Sequence, residues 1–168
     1  KYLSQRNYEG NKRIEELNEK IASLEKQYEE LGNLQNLIDT KQYDKISQFD
    51  YSNVPLYDNS SISSSGCGMI AAIIAESKLG GTVDVYDAYD YFNQPENQLF
   101  NTGAIGPYAV TSYLTERGYS VSPAGFELEP MGVFITYYQY TQNKTKVWHY
   151  VCLTTDITGA VQAHNNYN

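Results

Sequence analysis

With 168 residues and twelve basic against twenty acidic side chains, a formal charge of −8, the chain fits one domain of ordinary size plus an appendage. That charge disfavours nucleic acid or an anionic membrane surface as partner, and no run of about 18 apolar residues exists to span a bilayer. Two cysteines, Cys67 and Cys152, make neither a disulfide framework nor a zinc-ribbon spacing, which leaves the redox compartment open; nothing in the sequence cradles phosphate, and no metal or cofactor is expected.

The first forty residues differ in kind from the rest. Ile14, Leu17, Ile21, Leu24, Tyr28 and Leu31 alternate at steps of three and four, an a/d seam over about two and a half heptads. β-Branched Ile at a with Leu at d favours two parallel strands, and Lys20 at g suits Glu25 at the following e. The pattern therefore predicts a homodimeric coiled coil. The competing arrangement lays the same stripe on the chain's own globular domain. Gly32 is expected to end this helix, with a second helical piece from Leu34 to about Ile46. The expected division is a helical arm over 1–48 and a globular domain over 49–168.

From Phe49 to Ser65 the chain reads as loop, with Pro55, Asn59 and six serines. It leads into Ser65-Gly66-Cys67-Gly68 and then Met69 to Ala75, an apolar run with no polar face, which reads as a helix buried on all sides. Gly66 and Gly68 permit a sharp turn and a close approach. Cys67 then sits at the first turn, where free N–H groups and the helix dipole favour an anion. Such a position lowers a thiol's pKa and makes a reactive thiolate. The competing reading is a small buried cysteine, since free Cys is among the most buried residue types.

Lys78-Leu79-Gly80-Gly81 reads as a helix stop, and Thr82 as the cap of a short helix through Val85 to Phe92. Asn93 to Gly103 reads as loop. Gly106-Pro107 opens a third helix with proline at its first position, and Gly118 closes it. Then the chemistry changes. Val133 to Thr141 and Lys146 to Thr154 are rich in β-branched and aromatic residues and read as a hairpin. Ala160 to Asn165 gives a third strand, and Tyr119 to Val121 a short edge. Helices followed by an antiparallel meander make an α+β fold.

His149 lies in mid-strand, in Val147-Trp148-His149-Tyr150-Val151-Cys152-Leu153. Cysteine–histidine nucleophilic chemistry needs a thiol at a helix start, an imidazole within reach, and a third group that orients the ring. On the next strand, Asn165 supplies that third group. Cys152 alternates to the other face from His149 and reads as core. His164, beside Asn165, reads as exposed. Cys67, Cys152, His149 and His164 are zinc-type ligands, but opposing strand faces argue against a shared metal. Tyr137, Tyr138 and Tyr140 read as strand packing.

Ser65-Gly66-Cys67-Gly68 entering an apolar helix, Trp148 to Leu153, and Val161 to Asn165 together resemble the papain-like cysteine peptidases. The resemblance is nearest to the branch that cuts double-glycine leaders of bacteriocins, and it covers roughly Tyr51 to Asn168. It implies a papain-like fold, peptide-bond or amide hydrolysis, a peptide or protein substrate, and an extracellular or cell-envelope place in a bacterium. It also implies Cys67 as nucleophile, His149 as base and Asn165 as orienting group. Two positions depart from the family pattern. Asn165-Asn166 stands where Asp-Pro is usual, and the oxyanion glutamine's place falls on Ile62 or Ser61. Ile62 has no side-chain donor; Ser61 and Asn59 have one, and the Cys67 backbone N–H is the other candidate. Losing one such donor typically costs about 100- to 1000-fold in rate. The alternative is therefore a catalytically inactive peptide-binding or adaptor module on the same scaffold.

Overall fold

The computed structural model describes residues 2–57, 59–99, 104–123 and 128–164. A long helix, α1 (Tyr2–Asp39), leads. Next come a small hairpin of β1 (Pro55–Leu56) and β2 (Ser60–Ser61) and the one-turn helix α2 (Ile62–Ser65). Helices α3 (Cys67–Lys78), α4 (Val85–Phe92) and α5 (Pro107–Glu116) follow. Strands β3 (Val133–Gln142), β4 (Thr145–Thr155) and β5 (Val161–His164) complete the described chain. They form one antiparallel sheet in the order β3-β4-β5. The expected order, helices and then an antiparallel meander, is the one observed.

Helix α3 is the centre of the packing. Met69, Ile70, Ala71, Ala72, Ile73 and Ile74 have no exposed surface, so the apolar run of α3 is buried on every side as its sequence requires. Burying each isoleucine contributes about 1.5–3 kcal/mol. Even Glu76 is buried; its carboxylate accepts from the Tyr113 hydroxyl at 2.8 Å and lies 3.6 Å from Arg117 Nε. A buried charge stays only when paired in this way.

Several boundaries move. Helix α1 runs straight through Gly32, because Leu31, Leu34 and Ile38 on its last turns are buried in the core and their burial outweighs the roughly 1 kcal/mol that a helical glycine costs. The separate helix expected from Leu34 to Ile46 is thus the end of α1 plus a 3-10 turn at Tyr43–Lys45. The helix stops at Lys41, whose φ of 56° reverses the chain. Asp84, not Thr82, caps α4: its carboxylate accepts from the N–H groups of Tyr86 at 2.9 Å and Asp87 at 3.1 Å. No strand forms at Tyr119–Val121. The β3–β4 turn is two residues, Asn143 and Lys144, with φ of 50° and 66°, the left-handed pair that matches hairpin twist.

The last third of α1 is bolted to the domain. Gln35 donates to the Val83 carbonyl at 3.0 Å and accepts from the Val85 N–H at 2.7 Å. The Glu30 carboxylate accepts from the Asn53 backbone N–H at 2.9 Å and from its side-chain amide. Further towards the N-terminus the apolar stripe from Ile14 to Leu24 is exposed and does not lie on its own domain; Tyr28, also largely exposed, marks the boundary, its ring meeting Tyr86 of α4 at 5.9 Å. Among the described residues no helix is long and apolar enough to cross a membrane.

Candidate active site

The chain before Cys67 is built for a tight turn. Ser61 caps α2 through a reciprocal pair with Ser64, whose hydroxyl receives the Ser61 N–H at 3.0 Å. Gly66 ends α2 and opens α3; a Cβ there would come within 2.7 Å of the Ile62 carbonyl oxygen. Only glycine fits that contact. Helix α3 then starts at Cys67. At Gly68 a Cβ would lie 3.0 Å from Ile105 Cγ2 and 3.3 Å from Tyr150 Cδ2, so the helix start is wedged between Ile105 and strand β4.

That wedge sets what the sulfur meets. The backbone N–H groups of Tyr150, Gly68 and Cys67 itself point at Sγ and pull the thiol pKa down, but burial pushes it up and prevails. Cys67 is only 8 % exposed. The low thiol pKa expected from a helix N-terminus is therefore overturned: desolvation penalises the thiolate more than the first-turn donors stabilise it. The Tyr150 N–H belongs to the peptide that joins His149 to Tyr150, so the sulfur reaches β4 beside the backbone of His149.

His149 has no exposed surface. It pairs across the sheet with Tyr138, whose ring meets the imidazole edge-on at 5.9 Å. Tyr150, one residue on, stacks on Tyr137 at 4.4 Å, and Tyr137 stacks on Trp148 at 4.9 Å. The Tyr150 hydroxyl donates to the Ile105 carbonyl at 3.3 Å. Asn165 lies outside the described residues. Ser61 is engaged in its cap, and Asn59 takes a φ of 60° in the β1–β2 turn. Both border a polar hollow of about 420 Å³ with Ser23, Gln27, Asn53 and Ser64, on the α1 side of the domain. A separate groove of about 610 Å³ runs between α5 and β3, lined by Val110, Leu114, Ile135, Tyr137 and Tyr150 among others.

Cys152 is buried in the core with its thiol pushed up to about 12 by desolvation, Lys78 pulling the other way. His164, expected at the surface, is buried: it sits opposite Cys152 in the sheet, its Nε2 lies 3.1 Å from Thr154 Oγ1, and Tyr43 packs against its ring edge-on at 5.8 Å. The short connection after α1 closes over β5 and covers it. Among the described residues no three His, Cys, Asp or Glu side chains gather as a metal site would require.

Tyr150 and Ile105 are the site residues that sequence reading missed. Tyr150 had a signal, since it follows His149 and shares a face with Trp148 and Cys152; Ile105, in a loop without pattern, had none. No protein-family model matches the chain, and no curated protein and no solved structure matches it either.

Proposed function

We propose that the domain is a papain-like cysteine peptidase or amidase, in which Cys67 attacks a peptide or amide carbonyl. One observation carries this reading: a cysteine opens a helix whose first ten residues are buried, and its thiol is held by the peptide N–H next to the buried His149. In this reading His149 takes the thiol proton as Sγ bonds to the carbonyl carbon. The tetrahedral adduct collapses, the C–N bond breaks, and the imidazolium gives its proton to the departing amine. Water, deprotonated by His149, then splits the thioester and frees the acid and the thiol. The raised thiol pKa means that proton transfer accompanies attack, with no standing thiolate. First-turn N–H groups of α3 serve as oxyanion donors, because Ser61 is held in its cap. Asn165 orients the ring.

The partners in this reading are a peptide or protein substrate at the site and a second copy of the chain at α1. The family resemblance puts such a peptidase outside a bacterial cell or in its envelope. The test is an acyl-transfer electrophile offered to folded protein between about pH 5 and 8, the range in which an unperturbed imidazole changes charge. It should modify Cys67 in the parent and not in His149→Ala; no modification of the parent would end the catalytic reading.

A second reading has its own support. The burial of Cys67 and the engagement of Ser61 suit an inactive module that binds peptides in the groove beside Tyr137 and Tyr150. In that case peptide binding survives Cys67→Ala unchanged and the parent turns nothing over.

A further inference from the structure

Helix α1 carries apolar side chains on one stripe along its length, yet treats them in two ways. Leu31, Leu34 and Ile38 are at most 4 % exposed, because the domain reaches them. Ile14, Leu17, Ile21, Leu24 and Tyr28 are 56, 46, 53, 41 and 63 % exposed. They form a continuous apolar row over roughly 21 Å of helix at 1.5 Å per residue. A contiguous exposed row of this kind marks an interaction surface.

We propose that this row pairs with the same row of a second copy, as a parallel and in-register two-stranded coiled coil. Ile at the a positions 14 and 21 and Leu at the d positions 17 and 24 are the combination that selects two parallel strands. The flanks agree. In a parallel pair, Lys20 at g meets the partner's following e position, which holds Glu25. An antiparallel pair centred on the stripe would set Ile14 against Leu24 and turn the g position Lys20 towards Lys20 of the second copy, like charge against like. A membrane surface is the poorer occupant: seven glutamates stand against four Lys and Arg between Tyr8 and Leu31, whereas helices that lie on membranes are rich in Lys and Arg on the polar face. Leu31 belongs to the core of its own domain and the Tyr28 ring already meets Tyr86, so the pairing runs from Ile14 to Leu24, ends by Tyr28 and brings both domains to the same end of the coil. The proposal stands independently of any chemistry at Cys67.

Sedimentation of the full chain from about 5 µM to about 500 µM spans micromolar to near-millimolar association. The mass should rise from 19.0 kDa towards twice that value. Ile21→Glu changes a side chain that is exposed in the monomer, so its circular dichroism should match the parent while dimerisation weakens by about tenfold or more. Lys20→Glu should weaken the dimer, and Lys20→Glu with Glu25→Lys should restore it. Leu24→Cys should oxidise to a disulfide-linked dimer, as only an in-register parallel pair allows. A parent that stays monomeric at the highest concentration, or a dimer indifferent to Ile21→Glu, overturns the proposal. So does a dimer that Leu24→Cys cannot link, which would be antiparallel, and so does binding to anionic vesicles in place of self-association.

Discussion

The backbone N–H of Tyr150 points at the sulfur of Cys67. This contact joins the start of the buried helix to the middle of the sheet, and it makes the two cysteines of the chain unequal. Cys67 has three N–H donors working against desolvation, while Cys152 has only the charge of Lys78.

Alkylation should read that inequality. Both thiols lie above their ordinary pKa, so iodoacetamide should label the folded protein slowly at pH 6 and faster as pH rises, because thiolate is the reacting form. Cys67 should be modified well ahead of Cys152 at every pH, and the difference should vanish in denaturant. Peptide mass spectrometry of timed samples gives both rates. Equal rates in the folded state would contradict the N–H cluster at Cys67.

The two glycines around Cys67 should differ in cost. At Gly66 an added methyl would collide with the Ile62 backbone at 2.7 and 2.8 Å, which only a main-chain shift relieves. At Gly68 the closest atoms are side-chain carbons of Ile105 and Tyr150, at 3.0 to 3.3 Å. Overpacking typically costs about 1–3 kcal/mol, and alanine in a helix returns roughly 1 kcal/mol over glycine. Urea unfolding should therefore show Gly66→Ala at or beyond the top of that range and Gly68→Ala at about 1 kcal/mol. Gly68→Ala should also change the Cys67 labelling rate, because it displaces Tyr150.

The helix opening at Cys67 was legible because Met69 to Ala75 has no polar face and two glycines flank the cysteine. The β3–β4 hairpin was legible from its β-branched and aromatic runs. What failed depends on burial by distant parts of the chain. Gly32 looks like a stop until Leu34 and Ile38 are seen to enter the core. Cys67 looks like a thiolate until β4 closes over it. His164 looks exposed until the segment at Tyr43 covers it. In each case the local signal was sound and a tertiary contact outweighed it.

His164 should make stability depend on pH. Burial holds its pKa below the ordinary value of 6.5, Lys78 pushes the same way, and Asp44 opposes. The neutral ring is thus favoured in the fold, while the unfolded chain takes up the proton more readily. Stability is fully present above the unfolded value near 6.5 and is lost as pH falls from there towards the depressed folded value. Asp156, whose carboxyl is lowered by Thr158 and neighbouring N–H groups, matters only at the more acid pH where carboxylates titrate. Between about pH 5 and 6.5 the difference between parent and His164→Gln in urea midpoints gives the part of the slope that belongs to His164. A parent slope that His164→Gln leaves unchanged would show that the ring accepts its proton in place.

The catalytic reading makes its sharpest demand on combined substitutions. If Cys67 and His149 act as one unit, Cys67→Ala and His149→Ala should each abolish turnover of a peptide or amide substrate. The double variant should be hardly worse than either alone, since members of one unit are not additive. Asn165→Ala should lose less, because its role is to orient the ring. Cys67→Ala should remain folded: the sulfur lies at the edge of the helix start, and its removal leaves Ile70, Ile73 and Ile74 in place. His149 is fully buried, so His149→Gln, which keeps polar atoms near the same place, is the companion that separates lost chemistry from lost structure. It should unfold at nearly the parental urea concentration and still turn over no substrate. Turnover retained by His149→Gln at more than about one hundredth of the parental rate would remove the histidine as base, because positioned acid–base groups contribute about 100- to 10,000-fold. Independent, multiplying losses in the double variant would likewise break the unit apart.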